Sequence, residues 1–236
     1  MNSSLEKFLH FIGVVPGYIS HHERIISTVG GFFGIFGIII VSVYAVGEQG
    51  AAMIVASMGA SAVLLFAVPH GALAQPWNLF CGHLVSAVVG VTCARYIPDT
   101  YLAAAASVGL AIGAMHYLRC IHPPGGATAL TAVLGGPSVI ALGYGYVLMP
   151  VLINVLVILI IAVTFNAFFK WRRYPPALAP CYTSKQVADD IHPPIQHADL
   201  VYALSQLDTI VAVSEDDLLN IYALATGDKN VDKDKT

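Results

Sequence analysis

The amino-acid sequence predicts an all-α fold: a polytopic transmembrane helical bundle with an internal two-fold repeat, six helices of which two are short or broken, and a small cytoplasmic helical tail. Three observations lead there. Hydrophobic residues make up 57% of the 236-residue chain and charged residues 11%, where soluble domains carry roughly 25% charged. Apolar runs of membrane-crossing length recur from residue 25 to residue 169. Two interrupted runs fall at corresponding places in the two halves of that region. A net charge of −3 offers neither a basic surface for nucleic acid nor an acidic sponge, so no nucleic-acid partner is expected.

Taken in order, residues 1–24 form a cytoplasmic or interfacial segment. Residues 5–12 carry Glu6 and Lys7 inside a short apolar stripe ahead of Pro16 and Gly17, which suits a short interfacial helix better than a cleaved signal. The transmembrane domain covers 25–171. Four runs within it, 25–46, 77–96, 101–118 and 144–169, approach or exceed the roughly 20 apolar residues that a spanning helix needs. Two runs are shorter. Residues 51–68 stop at Pro69, and residues 125–134 stop at Gly135, Gly136 and Pro137; the latter would rise only about 15 Å. The two short runs resemble each other, Gly59-Ala60-Ser61-Ala62-Val63-Leu64 lying over Gly126-Ala127-Thr128-Ala129-Leu130-Thr131 at an offset of 67 residues. This implies a duplication of about 25–96 and 101–169, each half long, short, long. Interruptions at matching places are the sequence pointer to a transporter's central site.

Lysine and arginine placement orients the chain. With six spans, Lys7, Arg24, Arg119, Lys170, Arg172 and Arg173 share the cytoplasmic side and only Arg95 lies opposite; with four, Arg95 and Arg119 exchange sides. Five spans fit poorly. Six is the expectation, with both termini cytoplasmic. From 172 to 236 the chain turns Pro-rich and then polar, with two short amphipathic helices expected at 200–207 and 218–225, the second capped by Ser214-Glu215-Asp216-Asp217 and ended by Gly227.

The segment from Arg119 to Ala129 carries the chemistry. Pro123 and Pro124 end the preceding helix, Gly125 and Gly126 allow close backbone approach, and a new helix starts. Its first N–H groups lack internal partners and carry partial positive charge, which makes an anion site with help from Ala127 N–H, the Thr128 hydroxyl, Arg119 and His122. The same string also makes a tight interhelical turn, with Arg119 as a snorkelling topology residue. In the first half Gly59, Ala60 and Ser61 would present a second helix start converging on the same anion, or else simply pack helices closely. Gln75, Pro76, Asn78 and His83 form a polar start to the next long helix, where embedded polar groups are functional candidates. His116 lies one turn before Arg119, and His21, His22, His192 and His197 read as solvated. The pairs Gly30/Gly34, Ser86/Gly90 and Gly109/Gly113 are small-x3-small contacts for helix packing, one of them also available to a homo-oligomer interface. Cys81, Cys93, Cys120 and Cys181 have no metal or disulfide spacing; no metal and no cofactor is expected.

The string His122-Pro123-Pro124-Gly125-Gly126-Ala127-Thr128-Ala129 resembles the signature of the HPP family of integral membrane proteins, as do Gly59 to Phe66 and the stretch from Leu73-Ala74-Gln75-Pro76-Trp77-Asn78 to Gly82-His83. The resemblance covers about residues 20–170, and the acidic tail resembles the family's C-terminal extension; Gly125 stands where alanine is common. It implies nitrite as substrate and a bacterial inner membrane or plastid envelope as location. The leading functional class is therefore a transporter or channel for a small inorganic anion. A membrane enzyme using His83 or His122 as acid and base is disfavoured, because no nucleophile stands with a base and almost no acid lies between Glu48 and Asp99. A sensor or scaffold acting through the tail is the third class.

Overall fold

The computed structural model describes Ile12 and residues 20–178. The tail helices expected at 200–207 and 218–225, Cys181, and all of the expected interfacial helix but Ile12 lie outside the described residues. The chain divides into two compact units, Arg24–Tyr182 and a second made of Met1–Glu23 with Thr183–Thr236. In the second, the Glu23 N–H donates to Ser20 Oγ at 3.2 Å. Apart from residues 21–23, which open the first helix, all that follows concerns the first unit.

Helix α1, His21–Ala67, is one 47-residue run broken at a single residue, Gly47, with φ 73 and ψ 174. Glycine takes that φ without a Cβ clash, so the two expected apolar runs join through a kink and not through a loop. Pro69 then stops the helix, and a 3-10 turn at Ala72–Ala74 leads into α2, Pro76–Tyr96, which opens with proline at its first position. Helix α3, Thr100–Tyr117, is capped by Asp99, whose Oδ1 accepts from the Leu102 N–H at 2.8 Å. It ends in a Schellman turn: the Arg119 N–H donates to His116 O and the Cys120 N–H to Met115 O. Arg119 holds the left-handed position of that turn with φ 51, where glycine is usual.

Helix α4, Pro123–Leu134, has proline at both of its first positions, and Gly135 with Gly136 at φ 84 ends it as the sequence implies. A short α5, Pro137–Ile140, follows. The last long helix differs from expectation. Its regular part, α6, Ile153–Ala167, is preceded by a π-helical stretch, Val147–Leu152, in which Met149 is non-helical. The cause is Pro150, which has no N–H for the ladder and no room for the carbonyl a turn before it; an apolar run of 144–169 hides that break.

Among the described residues three helices are long and apolar enough to cross a membrane, His21–Tyr44, Pro76–Tyr96 and Val147–Ala167, and Ile54–Ala67 is a shorter apolar helix. Helix α3 forms where the sequence places a fourth span, but its 18 residues include six alanines and two glycines, with Thr100, Tyr101, His116 and Tyr117 at the ends, and it stands outside that set. The order long, short, long thus occurs twice along the described residues.

The exterior is apolar where a soluble domain would be polar, and polar side chains are buried within the bundle beside its apolar core. Ser57, Ser61, His83, Ser86, Ser107, Thr128, Asn154, Asn166 and Arg172 are buried, whereas Phe32, Phe33, Phe36, Leu110 and Ile160 are exposed. Tyr44, Tyr96, Tyr101 and Tyr117 stand exposed at helix ends, where an aromatic belt belongs. This is a helical membrane bundle. Its apolar core joins Ile38, Met58, Leu65, Leu79, Val155 and Ile158. One end is tied by Arg172, 1% exposed, which donates to Phe66 O at 2.6 Å, Asn166 Oδ1 at 3.1 Å and Ser27 Oγ at 3.3 Å. Beside it the buried Tyr174 hydroxyl donates to Ala74 O at 2.6 Å; burial pushes that phenol up and keeps its hydrogen in place.

Small residues set the closest contacts. A Cβ on Gly30 or Gly34 would fall 2.5 or 2.6 Å from the Phe66 ring. Helices α2 and α4 pack most extensively, and they do so through Gly82, Ser86 and Gly90 against Gly125 and Ala129: a Cβ on Gly125 would lie 2.7 Å from Ser86 Oγ and 2.8 Å from Gly82 O, and one on Gly90 2.5 Å from Ala129 O. Around Gly109 and Gly113 there is open space. Two stability outcomes follow, both read by thermal denaturation in detergent. Gly125→Ala should destabilise by about 1–3 kcal/mol, while Gly126→Ala, whose Cβ meets only Val108 at 3.8 Å, should be neutral or slightly stabilising; equal effects would contradict the packing. Arg119→Gly should stabilise by about 1 kcal/mol by relieving a left-handed residue, and a loss of stability would mean that the arginine side chain outweighs its backbone.

Candidate functional site

A proline-terminated turn, a kinked helix, a long helix and a short one bring four polar side chains together inside the bundle. Ser61 comes from the second arm of α1, His83 from the middle of α2, His122 from the N-cap of α4 and Thr128 from its second turn. All four are 0% exposed. Ser61 Oγ lies 2.8 Å from Nε2 of His83 and 2.9 Å from Nε2 of His122. Nδ1 of His83 lies 2.7 Å from Thr128 Oγ1, and Nδ1 of His122 lies 2.9 Å from Leu73 O. The imidazole centroids are 4.9 Å apart at 63°, edge to face.

The donors can be assigned from the last acceptor. A carbonyl only accepts, so Nδ1 of His122 carries the hydrogen. A neutral His122 then accepts at Nε2 from the Ser61 hydroxyl, Ser61 accepts from Nε2–H of His83, and Nδ1 of His83 accepts from the Thr128 hydroxyl. The result is a one-way chain, Thr128 to His83 to Ser61 to His122 to Leu73, with both imidazole tautomers fixed by their partners. Nothing in the chain is left unpaired, as a site without bulk water requires.

Of the residues the sequence singles out, these four meet and the others serve different ends. Residues 57–61 do not start a helix: Gly59 lies inside α1, half exposed with nothing near its Cβ position, and Ala60 is exposed. The break falls twelve residues earlier at Gly47, because Gly59 is flanked by helix formers and needs no unusual φ. Two helix starts therefore do not converge here, and only Ser61 of that trio joins the cluster. At the start of α4 the backbone offers little to an anion. Pro123 and Pro124 have no N–H, the Gly125 N–H donates to His122 O at 2.8 Å, and the Thr128 hydroxyl faces His83. Pro123 and Ala127 are exposed and Gly126 half-buried. Gln75 Nε2 donates to Gly71 O at 2.8 Å and Asn78 Nδ2 to Ile121 O at 2.8 Å, so both fasten the turns that deliver Leu73 and His122. Arg119 and His116 are exposed, the first committed to the turn after α3.

Two partners are invisible to residue-type reasoning. Leu73 contributes only its carbonyl, and Tyr146, 1% exposed in the stretch before α6, donates its hydroxyl to Thr128 O at 3.2 Å. Among the described residues no group of three or more His, Cys, Asp or Glu is gathered that could hold a metal ion. Cys81 and Cys120 sit buried with Met115 beside the cluster.

No solved structure matches the chain. Two transmembrane proteins of Dictyostelium discoideum are similar to it. One is 39% identical over 153 residues, which cover 63% of this chain and 49% of the relative. The other is 39% identical over 127 residues, which cover 52% and 44%. The chain thus spans about half the length of the curated relatives it matches. The family model for the HPP transmembrane region matches residues 16–175, a stretch that contains Ser61, His83, His122 and Thr128 together with every helix that holds them. The chain belongs to the HPP family of transmembrane proteins.

Proposed function

We propose that this membrane protein moves a small inorganic anion across the bilayer, nitrite being the first candidate, and that the buried Ser61–His83–His122–Thr128 cluster lies on the anion's path. The observation that carries the sign of the charge is what the bundle lacks. From residue 49 to residue 178 the sequence contains one acidic residue, Asp99, and it caps α3. Carboxylates at membrane depth mark many cation pathways; this cluster holds histidines and hydroxyls, groups able to donate hydrogen bonds to an anion, and its imidazoles gain positive charge on protonation. Nitrite, with two oxygens, needs only a few such donors. The choice of nitrite rests on the family resemblance.

We also propose a multi-pass arrangement with both termini cytoplasmic, on the distribution of lysine and arginine. Tags at the two ends should be reached from the same side of the membrane. Opposite accessibility would remove the even-span arrangement.

The direct test is uptake by proteoliposomes of nitrite, nitrate, chloride and potassium, with protein-free vesicles as baseline. The expected result is uptake of nitrite above baseline and none of potassium. Thr128→Val, which removes the hydroxyl at His83 and keeps the shape, should slow anion uptake about tenfold, the equivalent of one lost buried hydrogen bond, and Thr128→Ser should recover it. Potassium uptake matching nitrite, or full-rate anion uptake in Thr128→Val, would count against the assignment.

A further inference from the structure

We propose that His83 and His122, joined through the Ser61 hydroxyl, form one shared proton-binding site, and that the proton held there moves with the anion. The coupling rests on the transport reading above; the proton site itself does not. The hydrogen-bonded chain has two arrangements open to it. In the neutral form every hydrogen bond runs from Thr128 toward Leu73. Let one proton arrive at the Thr128 end. Thr128 passes its hydroxyl hydrogen to Nδ1 of His83, His83 gives its Nε2 hydrogen to Ser61, and Ser61 passes its own to Nε2 of His122. The arriving hydrogen stays on Thr128 Oγ1 and turns to the carbonyl of Pro124, 3.4 Å away.

The balance closes. Each hydroxyl keeps one hydrogen, His83 exchanges Nε2–H for Nδ1–H, and His122 gains one hydrogen and one positive charge. The contacts of 2.7, 2.8 and 2.9 Å between Thr128 and His122 all survive with their direction reversed. The bond from His122 Nδ1 to Leu73 O keeps its sense in both forms. Two features make this more than one buried histidine. Thr128 has a second acceptor waiting in Pro124 O, and Ser61 touches both rings through the same oxygen. Without either, one of the two forms would strand a buried donor or acceptor.

The surroundings leave the pair to itself. From α1 the ionisable residue beyond the kink is Glu48, exposed; α4 contributes none. Helix α2 brings Cys81, α3 and the turn after it bring Cys120 with the exposed His116 and Arg119, and the stretch before α6 brings Tyr146 on Thr128 O. At the Leu73 side, Tyr174 donates to Ala74 O, Arg172 to Phe66 O, and His70 Nε2 to Arg173 O at 3.2 Å. No carboxylate faces either ring among the described residues, so none of those residues offers a counter-charge to a protonated His122. A small anion supplies it. Proton and anion each cost much to hold alone at membrane depth, and together they form a neutral pair.

Histidine side-chain nitrogen NMR of the purified chain tests the proton site without any transport assay. On acidification, uptake of a single proton should convert His122 to the doubly protonated form while His83 changes from the Nε2–H to the Nδ1–H tautomer. Ser61→Ala should abolish that linked exchange, and Ser61→Thr, which keeps the hydroxyl, should retain it. Rings that titrate independently, or a His83 tautomer that never changes, overturn the shared site. In proteoliposomes with an enclosed pH indicator, nitrite uptake should be accompanied by proton uptake. Nitrite uptake with no proton movement overturns the coupling and leaves the transport reading standing. Absence of any anion uptake overturns the transport reading and the coupling with it, and the tautomer measurement then judges the proton site by itself.

Discussion

The rest of the bundle is arranged around the requirement that His83 be satisfied on both ring nitrogens where no bulk water can do it. Its two partners are Ser61 and Thr128, at 2.8 and 2.7 Å. To bring Thr128 within reach, α4 must lie almost in backbone contact with α2, which is why Gly82 and Gly90 face Gly125 and Ala129 there. To bring Ser61 within reach, the chain must turn back after Ala67 in a few residues, which Pro69 and the Gln75 amide accomplish. The His-Pro-Pro string then does two things at once. It places a second imidazole at the N-cap of α4 and removes two backbone donors from that helix's first turn.

Much of this was legible. The offset of 67 residues pairs Ser61 with Thr128, and these are the two hydroxyls that hold His83 from either side. The two matching strings thus each give one His83 ring nitrogen a hydroxyl partner, and His83 sits between them. The alternation of long and short helices was equally readable, since Pro69, Gly135, Gly136 and Pro137 are breaks that no tertiary context can remove. His83, His122, Ser61 and Thr128 were all named from the sequence because hydroxyls and imidazoles in apolar runs are conspicuous.

What failed has a common cause: residue type reports what a side chain can do and not where its backbone lies. Gly59 reads as a break and is an ordinary helical residue, while Gly47 carries the break. Arg119 reads as a charge for an anion or for topology, yet its conformation is that of a helix-terminating glycine. Gln75 and Asn78 read as pathway residues and instead bind carbonyls of neighbouring turns. Pro150 is a break hidden inside a strongly apolar run. The Lys170-Trp171-Arg172-Arg173 cluster reads as a basic patch, but Arg172 folds back to fasten the ends of α1 and α6.

The seat of Phe66 bears on how such a chain diverges. Its ring fills the space left by Gly30 and Gly34 one turn apart on the facing arm of α1, with Phe165 against its edge. Neither glycine can gain even a methyl group while the ring stays, and the ring cannot shrink without opening a void lined by glycines. Positions 30, 34 and 66 are therefore a single packing unit. Lineages can leave it only through paired replacements, a smaller residue at 66 arriving with a larger one at 30 or 34, so drift at these three places should be correlated and slow while the lipid-facing Phe32 and Phe36 beside them change freely.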